Sequence, residues 1–488
     1  MKKINKILLI TPPYHSGVVE SAGVWLNVGF VYLAGSLRAA GYDPVIYDAM
    51  SYWHSYDDIE KRIRDENPDV VATTAFTAEI VDALKVLKLA KTISPEITTV
   101  IGNVHPTYCY EEVLKDHSGY VDYIVRGEGE ETIVELMDVI NSGGDVSQVK
   151  GLAYINNGEV IATPQRPYIH DLDALPLAWD LIDWPIYKYK LMGGSVLAIV
   201  SSSRGCNQQC TFCSQQLFWN KTWRGRSAEN FVGELEYLRD TFGVNVVMIS
   251  DETPTLDRER WERILDLLIE RKIGTKILME TRVDDIVRDE DIMWKYKEAL
   301  VDHVYVGVEA TTQETLDVFK KEIKVEQSKR ALDLLNEQDI VTETSFVLGM
   351  PDDTKESMAK TIELARFYNP DLAFFLAIAP WPYSDIYPQL KDHIAVKDYS
   401  RFNLVEPVVK PKSMTLQEVN DMLGTASRDF YMYKINNLDL LTEKKKEFMI
   451  KVVHIISTSS YLAKTMKGTK MPEEVKKMLG KLKLQLKS

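Results

Sequence analysis

Three of the chain's four cysteines, Cys206, Cys210 and Cys213, fall inside eight residues of the polar segment Arg204-Gly205-Cys206-Asn207-Gln208-Gln209-Cys210-Thr211-Phe212-Cys213. Thiolates at such spacings can wrap one small inorganic core, and thiolate is the ligand that iron–sulfur clusters take. A four-iron cluster needs four ligands, and the remaining cysteine, Cys109, belongs to a distant segment. One iron is therefore expected to stay open to a small ligand, which implies chemistry rather than electron storage. Structural zinc fits less well, because it takes four protein ligands in paired knuckles, no second knuckle is present and the nearest downstream histidine is His303. Packing of three cysteines as small hydrophobes is disfavoured by the polar company of Arg204, Asn207, Gln208 and Gln209. A disulfide framework is excluded by so few cysteines spaced so closely.

The elements that must position these sulfurs form a second alternation of strands and helices. Strand candidates are Val196–Ser202, Val246–Ser250, Lys276–Glu280, His303–Val308, Thr342–Leu348 and Leu372–Ala379. One βα unit per roughly 30 residues is the size of a βαβ repeat. A partial (β/α)6 barrel over 195–382 follows, with chemistry expected at the carboxyl ends of its strands. Upstream, Ile7–Ile10, Val45–Tyr47, Val70–Thr73, Thr99–Gly102 and Tyr123–Val125 alternate with helical patterns over 1–150. They predict an α/β, Rossmann-like parallel sheet whose ligand would sit beyond Thr73, Gly102 and Arg126. A Pro- and Gly-rich connector with a little β-structure is expected over 151–194, and a mostly helical part over 383–488. The latter ends in a Lys-rich stretch from Lys464 to Ser488, read as a solvated helix or a docking tail for an acidic surface.

The CxxxCxxC spacing after a strand resembles the radical S-adenosylmethionine (SAM) superfamily over Val196 to about Pro382. The resemblance implies a [4Fe-4S] cluster on Cys206, Cys210 and Cys213, with SAM chelating the open iron. Reductive cleavage of SAM would give a 5'-deoxyadenosyl radical that takes hydrogen from an unactivated carbon. It further implies SAM contacts for Ser250, Asp251 and Glu252, which stand where the superfamily usually has glycines. Glu280, Arg282 and Glu309 are implied as rim partners of the SAM ammonium and ribose, and the Gly349 backbone as a neighbour of adenine.

Residues from Lys6 to about Leu136 look like the cobalamin-binding domain that precedes the barrel in one large subfamily. Cobalamin contacts are then implied for Thr73, Gly102, His105, Arg126, Gly127, Glu128 and Gly129. A dinucleotide is disfavoured, since Thr11-Pro12-Pro13-Tyr14 stands where a Gly-x-Gly-x-x-Gly turn would be needed. The Asp-x-His-x-x-Gly loop that puts histidine under cobalt in many cobalamin domains is missing. Nearly the whole chain is similar to the anaerobic magnesium-protoporphyrin IX monomethyl ester cyclase family, with Asp251-Glu252-Thr253-Pro254-Thr255 and Pro380-Trp381-Pro382-Tyr383-Ser384-Asp385 among the matching segments.

The reading is a cobalamin-dependent radical SAM C-methyltransferase, with Tyr383 and Asp385 past the sixth strand as expected catalytic side chains. The alternative is an oxidative cyclase of a magnesium-porphyrin type substrate, and a non-catalytic cobalamin or iron–sulfur sensor is the reading from another class. The substrate, a small molecule, lipid or protein side chain, is not legible, and an external electron donor is required. Lys+Arg 58 against Asp+Glu 72 gives a net charge of −14, which opposes a nucleic-acid partner. No apolar run approaches the roughly 18 residues of a membrane span, and the N-terminus lacks a signal-peptide core, so a cytoplasmic location is expected.

Overall fold

The computed structural model describes residues 3–15 and 23–458. The first sheet contains β1 (Lys6–Thr11), β2 (Asp43–Asp48), β3 (Val70–Thr74), β4 (Thr98–Gly102), β5 (Tyr123–Val125), β6 (Leu152–Asn156) and β7 (Glu159–Ala162), in the order β2-β1-β3-β4-β5-β6-β7. Side chains alternate across a strand, so β1 feeds two cores. Leu8 and Ile10 pack with Ile59, Ile63 and Ile80 on one face. Ile7 and Leu9 pack with Phe30, Leu37 and Leu136 on the other. Burial on both faces is why the strand reads as an unbroken apolar run. The strand order reverses around β1, which opens a crevice at the carboxyl ends of β1 and β3.

The sheet is longer than the sequence predicts. β6 and β7, from the stretch expected as connector, extend it antiparallel beyond β5. Their turn carries Asn157 at φ 51° and Gly158 at φ 85°, the paired positive φ values of a tight hairpin that right-twisted strands favour.

The second sheet begins with β8 (Leu197–Val200). A short antiparallel ribbon of β9 (Ser203–Gly205) and β10 (Trp223–Gly225) follows, and β11 (Val246–Ile249), β12 (Lys276–Arg282), β13 (Val301–Gly307), β14 (Val341–Leu348) and β15 (Leu372–Ala377) complete the sheet. Its order is β15-β14-β13-β12-β11-β8, every pairing parallel, so the barrel stays open between β8 and β15. Helices Ala228–Phe242, Arg258–Glu270, Val325–Glu337 and Lys355–Tyr368 cover its outside. Helices Leu416–Asn436 and Glu443–Thr458 follow, the first burying Val419, Ala426 and Phe430 in the same core. The Lys-rich stretch Lys464 to Ser488 lies outside the described residues.

Candidate functional site

The β9–β10 ribbon is the base of the cysteine loop. Gly205 ends β9 at φ 95°, and a β-carbon there would lie 2.2 Å from the Thr222 carbonyl oxygen. Only glycine turns the chain this tightly into Cys206. The loop is then bolted to the barrel: Thr211 N donates to the Phe319 carbonyl at 2.9 Å, and Ile386 N donates to the Thr211 carbonyl at 2.9 Å. Asp251, at the end of β11, accepts from Ser202 N at 2.8 Å and from the Ser203 hydroxyl at 2.7 Å, tying the root of the loop to the neighbouring strand.

A cavity of about 600 Å³ occupies the barrel mouth, and all three cysteines line it. Gln215 N donates to Cys213 Sγ at 3.4 Å, and the Thr253 hydroxyl lies 3.6 Å from Cys206 Sγ. Burial pushes the Cys213 thiol up to about 12, and the Cys210 thiol is raised by burial against the opposing pull of Lys321 and Arg282. Thiolates therefore form here as something positive arrives to bind them. Facing them from the barrel strands are Glu252, Glu280, Arg282 and Glu309, with Lys321 from the loop beyond β13. Lys321 Nζ stands 3.1 Å from Glu309 Oε1, and the Ser345 hydroxyl donates to Glu309 Oε2 at 3.1 Å. Arg282 donates to Asp284 at 2.9 Å and to the Lys321 carbonyl at 2.9 Å. The first sheet contributes Tyr14, Trp25, Met50 and Phe76–Glu79 to the same cavity.

A second cavity, about 270 Å³, lies at the carboxyl ends of β3, β4 and β5. Thr73, Gly102, Gly127, Glu128 and Gly129 line it from the first sheet, and Arg204, Trp219, Ser250 and Glu252 from the barrel side. Glu252 borders both cavities and is held by Trp219 Nε1 at 2.7 Å and Gly205 N at 3.1 Å. The two halves are joined by buried ion pairs. Arg204 reaches Glu128 at 2.7 Å and Glu130 at 2.6 Å, and Arg224 reaches Glu128 at 3.0 Å.

Two family models match the chain, the B12 binding domain over residues 14–137 and the Radical SAM superfamily over 200–365. The anaerobic magnesium-protoporphyrin IX monomethyl ester cyclase of Rubrivivax gelatinosus is 39% identical over 434 residues, covering 88% of this chain and 78% of the relative. The chain belongs to the cobalamin-binding radical SAM family. An uncharacterized methyltransferase of Pyrococcus horikoshii is 31% identical, with 88% of this chain and 93% of the relative covered. Among solved structures, the cobalamin-dependent SAM radical enzyme OxsB with aqua-cobalamin and SAM bound matches with a TM-score of 0.70 at 17% identity, covering 98% of this chain and 75% of that one.

As a member of this family the chain is an enzyme whose cofactors are a [4Fe-4S] cluster, SAM and cobalamin. Its residues fit them. No group of three or more His, Cys, Asp or Glu among the described residues is gathered tightly enough for a single ion. The three sulfurs instead share the wall of one cavity, with N–H and O–H donors beside two of them and two cations near the third, as a cluster held by thiolates requires. On the cobalamin side, a β-carbon on Gly127 would meet nothing within 4 Å, so the backbone there leaves open space for a bulky ligand.

Several expected contacts fall elsewhere in this radical SAM protein. Asp251 is only 2% exposed and spends its oxygens on Ser202 and Ser203. Asp385 is exposed, accepts from Gln216 at 3.0 Å and does not line the cavity, because the turn at Trp381–Ser384 carries it past the rim. Arg126 turns from the smaller cavity to stack on Tyr110 at 4.6 Å and to donate to the Thr163 carbonyl at 3.2 Å. The Gly349 N–H is taken by Asp353 at 2.8 Å, and Gly349 lines neither cavity. Glu128 borders the smaller cavity, but Arg204, Arg224 and Ile169 N occupy both its oxygens. His105 is 1% exposed and neutral, burial pushing its imidazole down to about 4, and it supports Thr77 at 3.2 Å without lining either cavity. Thr77 in turn bonds the Tyr383 hydroxyl at 2.7 Å, so Tyr383 does line the larger cavity. Sequence reasoning missed Glu79, Trp219 and Lys321. Glu79 follows a strand end that was already marked; nothing local marks Lys321.

Glu280 opens onto the larger cavity and makes no side-chain hydrogen bond among the described residues; its depth in the barrel mouth, with Glu343, Glu252 and Glu309 nearby, pushes its carboxyl from the usual 4.5 up to about 7. The folded apoprotein therefore holds a proton there that the unfolded chain has released. The stability this carries is full below the unfolded value and is lost as pH rises through about 7. Glu280→Gln is expected to raise the apparent melting temperature of the apoprotein at about pH 8 and to leave it unchanged at about pH 4. Equal melting at both pH values would show that the carboxyl titrates normally.

Proposed function

We propose that the chain methylates an unactivated carbon of a substrate bound in the larger cavity. The carrying observation is that the cavity bordered by the cobalamin-side loops and the cavity lined by the three cysteines share Glu252 as a common wall. When bound, SAM on the cluster supplies a hydrogen-abstracting 5'-deoxyadenosyl radical, and cobalamin supplies a transferable methyl group. In this reading Cys206, Cys210 and Cys213 hold the cluster, while Arg282 and Lys321 temper its negative charge. Glu280 is the rim carboxylate left free for the SAM ammonium or ribose, because both oxygens of Glu309 are engaged. Thr73, Gly102, Gly127, Gly129 and Ser250 cradle part of the cobalamin. Tyr383, pinned by Thr77, orients the substrate. An external donor must supply the electron.

The test is product analysis, over several turnovers, of anaerobically reconstituted, reduced enzyme supplied with SAM, unmethylated cobalamin and candidate substrates. Methyl transfer predicts S-adenosylhomocysteine alongside 5'-deoxyadenosine, plus a substrate heavier by one methylene. The 39% identity to a cyclase favours oxidative cyclisation as the second reading. Turnover that yields 5'-deoxyadenosine with no S-adenosylhomocysteine would select it. Intact SAM in the reduced holoenzyme would leave only a sensor.

A further inference from the structure

The larger cavity is unevenly furnished. Among the described residues, both cations that line it are committed, Arg282 to Asp284 and Lys321 to Glu309, and no histidine lines it. Toward the first sheet its walls are aromatic, with Tyr14, Trp25, Phe76, Trp381 and Phe402. One charged group stands among them. Glu79 closes the short helical turn Thr77–Glu79, and its Oε2 accepts from Phe76 N at 2.9 Å, which fixes the carboxyl group. Its Oε1 has no hydrogen-bond partner among the described residues, and the Tyr14 hydroxyl donates instead to the Ser400 carbonyl at 3.0 Å. No cation among the described residues offsets the group, and its surroundings push its carboxyl up to about 7. A lone acceptor held rigid and half-buried on an aromatic wall is the group that a donor arriving with the ligand would pair, displacing water as the ligand closes over it.

We propose that this end of the cavity recognises a substrate with a flat apolar body and a positively charged or N–H donor that bonds Glu79 Oε1, and that it rejects a free carboxylate. The inference rests on the reading that substrate meets SAM in this cavity, and it adds the substrate's chemical class. Above about pH 7, where Glu79 is ionised, a carboxylate placed there would meet it with no free cation among the described residues to offset it, and like charges so juxtaposed are strongly disfavoured.

Three probes that share one ring test this: naphthylmethylamine, the methyl ether of naphthylmethanol, and naphthylacetate. Each is dialysed to equilibrium, anaerobically, against enzyme carrying cluster, cobalamin and SAM. The amine is expected to be retained about tenfold more tightly than the ether, the worth of one charge-assisted hydrogen bond, and the carboxylate least. Glu79→Gln keeps an acceptor for Phe76 N and is expected to erase the amine's advantage while the ether is retained as before. Trp25→Ala is expected to weaken all three alike. Carboxylate retained as tightly as amine, an amine preference that survives in Glu79→Gln, or retention of none of the probes would each overturn the proposal. Formation of 5'-deoxyadenosine is scored on the same wild-type preparation. Its absence with the retention order intact refutes the radical reading alone, and its presence with the order reversed refutes the substrate class alone.

Discussion

Cys210→Ala is expected to strip the enzyme of its cluster and to lower 5'-deoxyadenosine formation by on the order of 10³-fold or more. Loss of an outer-shell partner of a metal site typically costs about 10–100-fold, and loss of a ligand itself costs more. Cys210 is the middle sulfur of the three and is only 7% exposed, so no water readily takes its place. Its loop is fixed on both sides of Thr211 by backbone hydrogen bonds to Phe319 and Ile386, which the substitution leaves in place. The variant should therefore fold with wild-type circular dichroism while losing iron, sulfide and the electron paramagnetic signal of the reduced cluster. Cys109→Ala supplies the contrast. Cys109 caps a helix beside β4 and lines neither cavity, so iron content and SAM cleavage should match the wild type. A Cys210→Ala protein that keeps both iron and SAM cleavage would remove the cluster assignment.

The second large effect is expected at Glu128. Its side chain is 4% exposed and is shared between Arg204 and Arg224, each 11% exposed, while Ile169 N donates to it at 2.7 Å. Removing one member of a buried ion network leaves its partners charged and desolvated, which costs about 3–5 kcal/mol. Glu128→Ala should lower the apparent unfolding midpoint accordingly. Glu60→Ala, which breaks the exposed Glu60–Arg64 pair, should shift stability by less than about 1 kcal/mol. Glu128 belongs to a loop bordering the smaller cavity, and Arg204 lies two residues before Cys206. The same variant should therefore lose bound cobalamin and iron together. An unfolding free energy within about 1 kcal/mol of wild type would mean that the network carries no net stability.

How legible these groups were in the sequence follows from how local their chemistry is. The cysteine trio stands out because three thiols within one short loop can share one small inorganic core, and because the loop follows a strand whose apolar run is itself legible. The Rossmann-like sheet and the six parallel strands were readable for the same reason: burial on both faces leaves continuous apolar runs at βαβ spacing. The hairpin Leu152–Ala162 was missed as part of the first sheet because a two-strand antiparallel extension needs no crossover helix, and so leaves no βαβ signature. Asp251, Arg126, Asp385 and Gly349 were named from their places at or beyond strand ends. Position alone does not say whether a side chain or N–H faces the cavity or is already engaged by a neighbour, as these are by Ser202 and Ser203, Thr163, Gln216 and Asp353.

The sequence by itself determined the order of the two halves, the cysteine trio proposed to hold the cluster, Cys206, Cys210 and Cys213, and the strand ends at which the two cavities open. Only the tertiary structure decided which polar groups remain free there. Glu79 and Tyr383, some three hundred residues apart, meet one cavity through Thr77 and its neighbours, and Glu280 is left without a hydrogen-bond partner among the described residues while Lys321 and Ser345 occupy Glu309. Ligand spacing is set by short-range geometry along the chain, whereas the freedom of a charge is set by what packing brings against it, and that information is not local.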